Sequence, residues 1–143
     1  MVSESDGLVV SSALREQLLL LAAVVSKPRG TILFRRGDAC AGVFLLCNGK
    51  VRLLLEDPAA ILRPRIVGAG CVIGLPAAVG GSAYSLTAEV VEQAELACVP
   101  QEALNNCLQQ NIELCFEVMN ILSQELSETR SAIKQSGGPR PHR

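Results

Sequence analysis

The sequence predicts a mainly β domain, a sandwich or small closed barrel, with helices at both ends. Three observations carry this. Between Thr31 and about Val99 the chain divides into short apolar runs (TILF, VFLLC, KVRLLLE, RPRIV, CVIG, LTAEVVE, ELACV) separated by turn residues. On either side of that region the apolar residues recur at helical rather than alternating spacing. The composition is 49% hydrophobic but only 3% aromatic, so the core has to be aliphatic. With 143 residues the chain has enough material for one domain with a core of its own.

The elements follow in order. Residues 1–11 are polar and expected to be flexible, and the domain is expected to span 12–135. Ser12 can cap a helix reaching about Val25, with Leu14, Leu18, Leu21 and Val25 on one face. Pro28 and Gly30 end it. TILF and the RRGD turn come next. Asn48-Gly49, flanked by VFLLC and KVRLLLE, predicts a hairpin, because both residues tolerate positive φ. RPRIV leads to a turn at Gly68–Gly70 and then to CVIG. LTAEVVE and ELACV close a series of about eight short strands. Pro100 suits the first turn of a short helix, PQEALNNCLQQ.

A longer helix is expected over about 112–134. Ile112, Cys115, Met119, Leu122, Leu126, Thr129 and Ile133 recur in steps of three and four, the pattern of a heptad seam. Phe116, Val118 and Ile121 form a second apolar face, expected to pack on the barrel. A helix with two such faces has two surfaces to cover, and the seam is expected to pair with a second copy in a homodimer. SGGPRPHR cannot continue a helix, so 136–143 is expected to be a disordered tail.

Several function classes are disfavoured. A net charge of −1 gives no global attraction to nucleic acid or membrane. The longest apolar stretch, Leu18 to Val25, is too short to span a bilayer and lacks a basic segment before it, so a cytoplasmic location is expected. The cysteines, six in number, form no C-x-x-C pair and match no zinc spacing; most sit in apolar runs, as buried thiols do. Cys40, beside the RRGD turn, is the exception. The one histidine is His142, so a histidine-built metal site or a Ser-His or Cys-His nucleophile is not expected. Glu56-Asp57 and Glu89/Glu92 read as strand-end or solvated acids. No enzyme activity, cofactor or metal is expected.

Ile32, Gly37, Asp38, Phe44, Leu46, Gly49 and Val51 fall at the places of the "I-x-x-x-G-D" turn and the following strand in the catabolite-activator (CRP/FNR) regulators. Gly70 and Gly74 match the glycines leading to that family's phosphate-binding cassette, and ELACVPQEALNNCLQQNIELCFEVM resembles its last strand and following helices. Over roughly 12–135 the chain therefore resembles the cyclic-nucleotide-binding sensor domain of that family. The resemblance implies a jelly-roll (double-stranded β-helix) barrel, an N-terminal helix and a long C-terminal dimerisation helix. It also implies a ligand site at Gly74, Leu75, Pro76, Ala77, Tyr84, Ser85, Leu86 and, on the long helix, Thr129.

In nucleotide-binding members a Glu follows the cassette glycine and takes the ribose, and an Arg before Ser-Ala or Thr-Ala takes the phosphate. Those places hold Leu75 and Tyr84, and no residue from Gly68 to Ala88 is charged. Losing one partner of a buried charge pair costs ~2–5 kcal/mol, hence at least ~30-fold in affinity. What remains is a short helix at Pro76, whose free amides attract anions, and the hydroxyls of Ser82, Tyr84 and Ser85. The implied function is a dimeric regulatory sensor that takes a small-molecule effector but is not a strong cAMP or cGMP binder. The alternatives are a cyclic-nucleotide effector domain with an unusual cassette, and a thiol-based redox sensor. The resemblance includes no helix-turn-helix segment, so specific DNA binding by these 143 residues alone is not expected, and neither is membrane binding.

Overall fold

The computed structural model describes residues 9–54 and 65–137, and side chains as far as Gln124. The order is α1 (Ser12–Leu21), β1 (Ala23–Lys27), β2 (Ile32–Phe34), β3 (Gly42–Leu54), β4 (Arg65–Val67), β5 (Val72–Ile73), α2 (Leu75–Gly80), β6 (Thr87–Pro100), α3 (Gln101–Gln110) and α4 (Ile112–Gly137). All strand pairs are antiparallel. The architecture is the expected one: a mainly β jelly roll flanked by helices.

Its spine is the pairing of β3 with β6, from Gly42↔Pro100 to Leu54↔Thr87. The outer edge of β6 takes β1 at residues 94–98 and β2 at 88–89. The outer edge of β3 takes β5 at 44–45 and β4 at 51–53. Each edge thus carries two short strands, one on either side of a bend.

The bend is at Asn48-Gly49, and it corrects the sequence reading. The pair does not turn a hairpin. The chain runs straight on as one 13-residue strand, with register shifts between Leu46 and Val51 that mark bulges. LTAEVVE and ELACV likewise join into one 14-residue strand, giving six strands among the described residues rather than about eight. Gly49 has φ 95°, which a bulge can use as well as a turn can. A Cβ there would lie 2.3 Å from the Gln93 carbonyl oxygen, so the close approach of β6 requires glycine.

Side chains on the two faces of the spine build two cores. Toward the helices, Val43, Leu45, Ala97 and Val99 meet Leu14 and Leu18 of α1, Leu104 and Leu108 of α3, and Leu114, Val118 and Ile121 of α4. Inside the barrel, Leu46, Val51, Leu53, Ala88, Val90 and Leu96 meet Phe34, Val67, Ile73 and Tyr84. Phe44, partly buried, stacks on Phe34 at the margin of this core, and Leu, Val and Ala fill most of the remainder, as the composition requires.

Helix α1 also departs from expectation. Its N-cap is Ser11, whose hydroxyl accepts from the Leu14 amide, and it ends at Leu21 rather than near Val25. Val24 and Val25 lie in β1, drawn there by pairing with Ala97 and Leu96; β-branched residues suit that environment. Leu14 and Leu18 are buried as expected, while Leu21 is partly exposed. Val10 belongs to the stretch expected to be loose, yet it is buried, and Val9 bridges Cys71. Glu117 of α4 accepts from the Ser11 amide at 2.8 Å and from its hydroxyl at 2.6 Å, fastening α4 to the start of α1.

Along α4, Leu114, Val118 and Ile121 face the core, but Phe116 does not: it is 59% exposed. At four residues from Ile112 and three from Met119, both exposed, Phe116 joins them on the outer face. Cys115 and Leu122 are partly buried against the helix-side core. The side chains of Leu126, Thr129 and Ile133 lie outside the described residues, as do residues 1–8, Glu56-Asp57 and the tail from 138. All six cysteines are free thiols.

The bend at Gly49 gives the first test. Gly49→Ala should lower unfolding free energy by about 3 kcal/mol or more, combining left-handed strain with a backbone collision. Gly30→Ala, with similar φ but open space around it, should lose about 1 kcal/mol. Urea denaturation of the two variants separates these effects, and equal losses would contradict the bulge.

Candidate functional site

The cassette runs from Gly74 through α2 to Leu86. Gly74 is the left-handed N-cap of α2, and a Cβ on it would come within 3.0 Å of the Tyr84 ring. A glycine here therefore serves two needs, the backbone turn and the room for an aromatic neighbour. Pro76 occupies the first turn of α2, which closes on Gly81. The far end of α2 is secured to α3, since the Gln101 side chain donates to the Ala78 carbonyl at 2.9 Å.

Tyr84 is the centre of the site. Its ring stacks on Phe34 at a centroid separation of 3.7 Å and an interplanar angle of 10°. Its hydroxyl donates to the Gly42 carbonyl at 2.7 Å and accepts from the Ala41 and Gly42 amides at 3.3 Å. Its backbone is held as well: the Tyr84 amide donates to the Asp38 carbonyl at 3.0 Å, and the Gly37 amide donates to the Tyr84 carbonyl at 2.8 Å. Asp38 closes its own turn by accepting from the Arg35 amide at 2.9 Å. The glycine and aspartate of the RRGD motif thus clamp the residue that fills the cassette. Tyr84 is 5% exposed.

Burial pushes the Tyr84 phenol above its ordinary value, and the neighbouring Cys40 thiol adds to the rise; backbone hydrogen bonds at Gly42 and Ala41 pull the other way. Cys40 also donates to the Gly42 carbonyl, with sulfur and oxygen 3.6 Å apart. Burial likewise raises the Cys98 thiol, opposed by the charge of Lys27.

Beside Tyr84 lies a cavity of about 40 Å³. Gly74, Pro76, Ala77, Tyr84, Ser85 and Leu86 all line it, as the sequence reading grouped them. Leu75 does not. It turns to the opposite side and is buried among the helix-side core residues. The side chain of Thr129 lies outside the described residues. Sequence reasoning missed Phe34, Leu53, Val72, Ile73 and, most consequentially, Arg65. Arg65 pairs with Leu53 across β3 and β4, and both line the cavity, so a basic residue from outside the uncharged cassette contributes to its wall. Alternation along RPRIV could have placed Arg65 and Val67 on one face; nothing in the sequence indicated that this face meets the cassette.

Among the described residues no group of His, Cys, Asp and Glu side chains is placed to hold a metal, and no helix is long and apolar enough to cross a membrane. Two of the three acids of β6 are paired across the spine. Glu92 meets Lys50 at 3.2 Å and Glu89 meets Arg52.

Known proteins resemble the chain along the same lines. It is 29% identical over 135 residues to the anaerobic regulatory protein of Bacillus subtilis, covering 93% of this chain and 57% of that protein. It is 26% identical over 102 residues to the lysophospholipase nte1 of Aspergillus fumigatus, covering 69% of this chain and 7% of that one. The chain therefore spans little more than half of one curated relative and a small part of the other. The Thermus thermophilus catabolite activator protein superposes with a TM-score of 0.73 at 21% identity, over 85% of this chain and 57% of that one. Residues 24–111, from β1 through α3, match the family described as the cyclic nucleotide-binding domain. With that match spanning the spine, the cassette and Tyr84, the chain belongs to the cyclic nucleotide-binding domain family.

Proposed function

We propose that this domain is a dimeric sensor module of a regulator, and that its cassette is not a strong cyclic-nucleotide site. The carrying observation is Tyr84, which occupies the cassette with its ring and is held by side-chain and backbone hydrogen bonds. Two further features support the reading. The positions where nucleotide-binding relatives are expected to carry Glu and Arg hold the buried Leu75 and Tyr84. The 40 Å³ beside Tyr84 is far below the roughly 300 Å³ of an ordinary small-molecule site. The domain acts by binding rather than catalysis, and its output is a displacement of α4 that a partner domain detects. Its relatives include an anaerobic regulatory protein and a catabolite activator protein by name, which fits that role.

The dimer is proposed to form through α4. Ile112, Phe116 and Met119 are exposed at 68%, 59% and 55% along one face, the geometry of a helix–helix seam. Phe116 replaces the half-buried Cys115 in that role. The wild-type protein should scatter light as a dimer at micromolar concentration, and Phe116→Asp with Met119→Asp should give a monomer of unchanged fold. A monomeric wild type would contradict this arrangement.

Calorimetry with cAMP and cGMP tests the cassette reading. Both should bind at least ~30-fold more weakly than at a site with its charge pairs intact. Low-micromolar affinity for either would overturn it.

The latch itself is readable because Tyr84 is the chain's one tyrosine and there is no tryptophan. Its ultraviolet titration in the native protein should have a midpoint above the ordinary value of about 10. A raised folded-state value means the unfolded chain loses this proton first. The stability it contributes is therefore complete below about pH 10 and is lost as pH climbs through the folded-state value. Tyr84→Phe should lower stability at neutral pH by about 1–3 kcal/mol, from the lost hydroxyl contacts. It should also flatten the alkaline fall measured by denaturation at stepped pH.

A further inference from the structure

A second concavity lies away from the cassette, between α1 and α3. Its volume is about 390 Å³, the size of an ordinary small-molecule site. Four residues with carboxamide side chains line it, Gln17, Asn106, Gln110 and Asn111. Leu21 and Ala103 supply apolar surface, and no lining residue carries a charge. The helical repeat builds this wall: Gln17 and Leu21 are four apart on α1, as are Asn106 and Gln110 on α3. Among the described residues none of the four carboxamides has a hydrogen-bond partner within the chain. Each keeps one carbonyl acceptor and two N–H donors for another molecule.

The lining selects the ligand. A charged group would shed water here with no opposite charge to meet it, which is costly. The end of α3 and the start of α4 adjoin at Asn111, so their opposite helix-end charges offset one another there. An amide, in contrast, finds its complement in another amide. Adjacent N–H and C=O groups on a ligand pair with the C=O and N–H of Asn or Gln in one planar, two-bond contact. We propose that the cleft between α1 and α3 binds a small neutral ligand with an amide or lactam edge, its apolar part on Leu21 and Ala103. The Asn111 carbonyl accepts from the Cys115 amide at 3.0 Å in the first turn of α4, and Glu117 ties that helix to Ser11 at the start of α1. A ligand joining α1 to α3 therefore sits at the root of α4. The binding itself stands apart from the sensor reading; only this consequence for α4 rests on it.

Benzamide is the probe, with three analogues of the same shape beside it: acetophenone, which lacks the N–H donors, the anion benzoate, and the cation of benzylamine. Titration is followed by the side-chain amide resonances of isotope-labelled protein. Benzamide should bind saturably at about 1 mM, as suits a fragment of its size, and should shift the side-chain resonances of the four lining carboxamides. Each analogue should bind at least about fivefold more weakly. Gln17→Met combined with Asn106→Leu keeps volume and removes hydrogen bonding, and should weaken benzamide about tenfold. Asn105→Leu, on α3 but outside the cleft, should leave the affinity unchanged. Cys107 also lines the cleft, so benzamide should slow its alkylation in the wild-type protein, read by peptide mass spectrometry whether or not the double variant folds.

The inference is overturned if benzamide does not saturate, if any of the three analogues binds as well, or if the folded double variant binds as tightly as wild type. Alkylation of Cys107 at an unchanged rate under saturating benzamide also overturns it. A cAMP titration keeps two failures apart. Tight cAMP binding would remove the reading of the cassette and leave this inference standing. Failure of benzamide alongside weak cAMP would remove this inference alone.

Discussion

Everything else in this domain hangs on the antiparallel pairing of β3 with β6. Both strands are buried on both faces over much of their length, and both are too long to lie flat around so small a barrel. The bulge at Gly49 resolves this. It lets one ribbon serve both halves of the barrel, so that β5 and β1 lie on one side of the bend and β4 and β2 on the other. Helix-side core and barrel interior are then opposite faces of the same ribbon, as the adjacent, fully buried Leu45 and Leu46 illustrate. A change in side-chain volume on one face is felt through the ribbon on the other, because interiors this closely packed have little slack.

That geometry explains why the cassette is closed. The loop carrying Tyr84 returns across the RRGD turn, which binds its backbone, and across the first residues of β3, which bind its hydroxyl. The loop is fixed at both by groups that belong to the scaffold. An unfilled cassette of this composition would expose Phe34 and the apolar barrel mouth to water. Tyr84 covers them, and its one side-chain polar atom finds three backbone partners, so the buried hydroxyl is not left without a bond.

Much of the fold was legible in the sequence, and the misses share a cause. Apolar runs and turn residues located five of the six strands in part, the two flanking helices, the short helix at Pro76 and α3, but not β1. Asn48-Gly49 was misread because a hairpin and a bulge ask the same thing of a glycine, a positive φ; only the partner strand distinguishes them. Val24 and Val25 were placed in a helix because one continuous apolar stretch carries no mark where a helix gives way to a strand, and β6 decides it. Phe116 was assigned inward because apolar character says that a face is covered, not by what. In the site, the resemblance to the family's cassette named six of the residues that line the cavity beside Tyr84. Arg65 was not among them, because it arrives from another strand, and Leu75 was given to the cavity because chain position does not reveal which side of α2 a residue takes.

The contact between Ser11 and Glu117 bears on how the chain acquires its structure. Helix α1 is short, and its first turn is completed by a carboxylate 106 residues further along. During synthesis from the N-terminus, the residues of α1 emerge long before their partner exists, and an isolated ten-residue helix is marginal in water. Loop closure over such a span is slow relative to local structure formation. The first helix made is therefore among the last to be secured. Its leucines stay open to solvent, or to a chaperone, until β6 and α3 have been made and have packed on them.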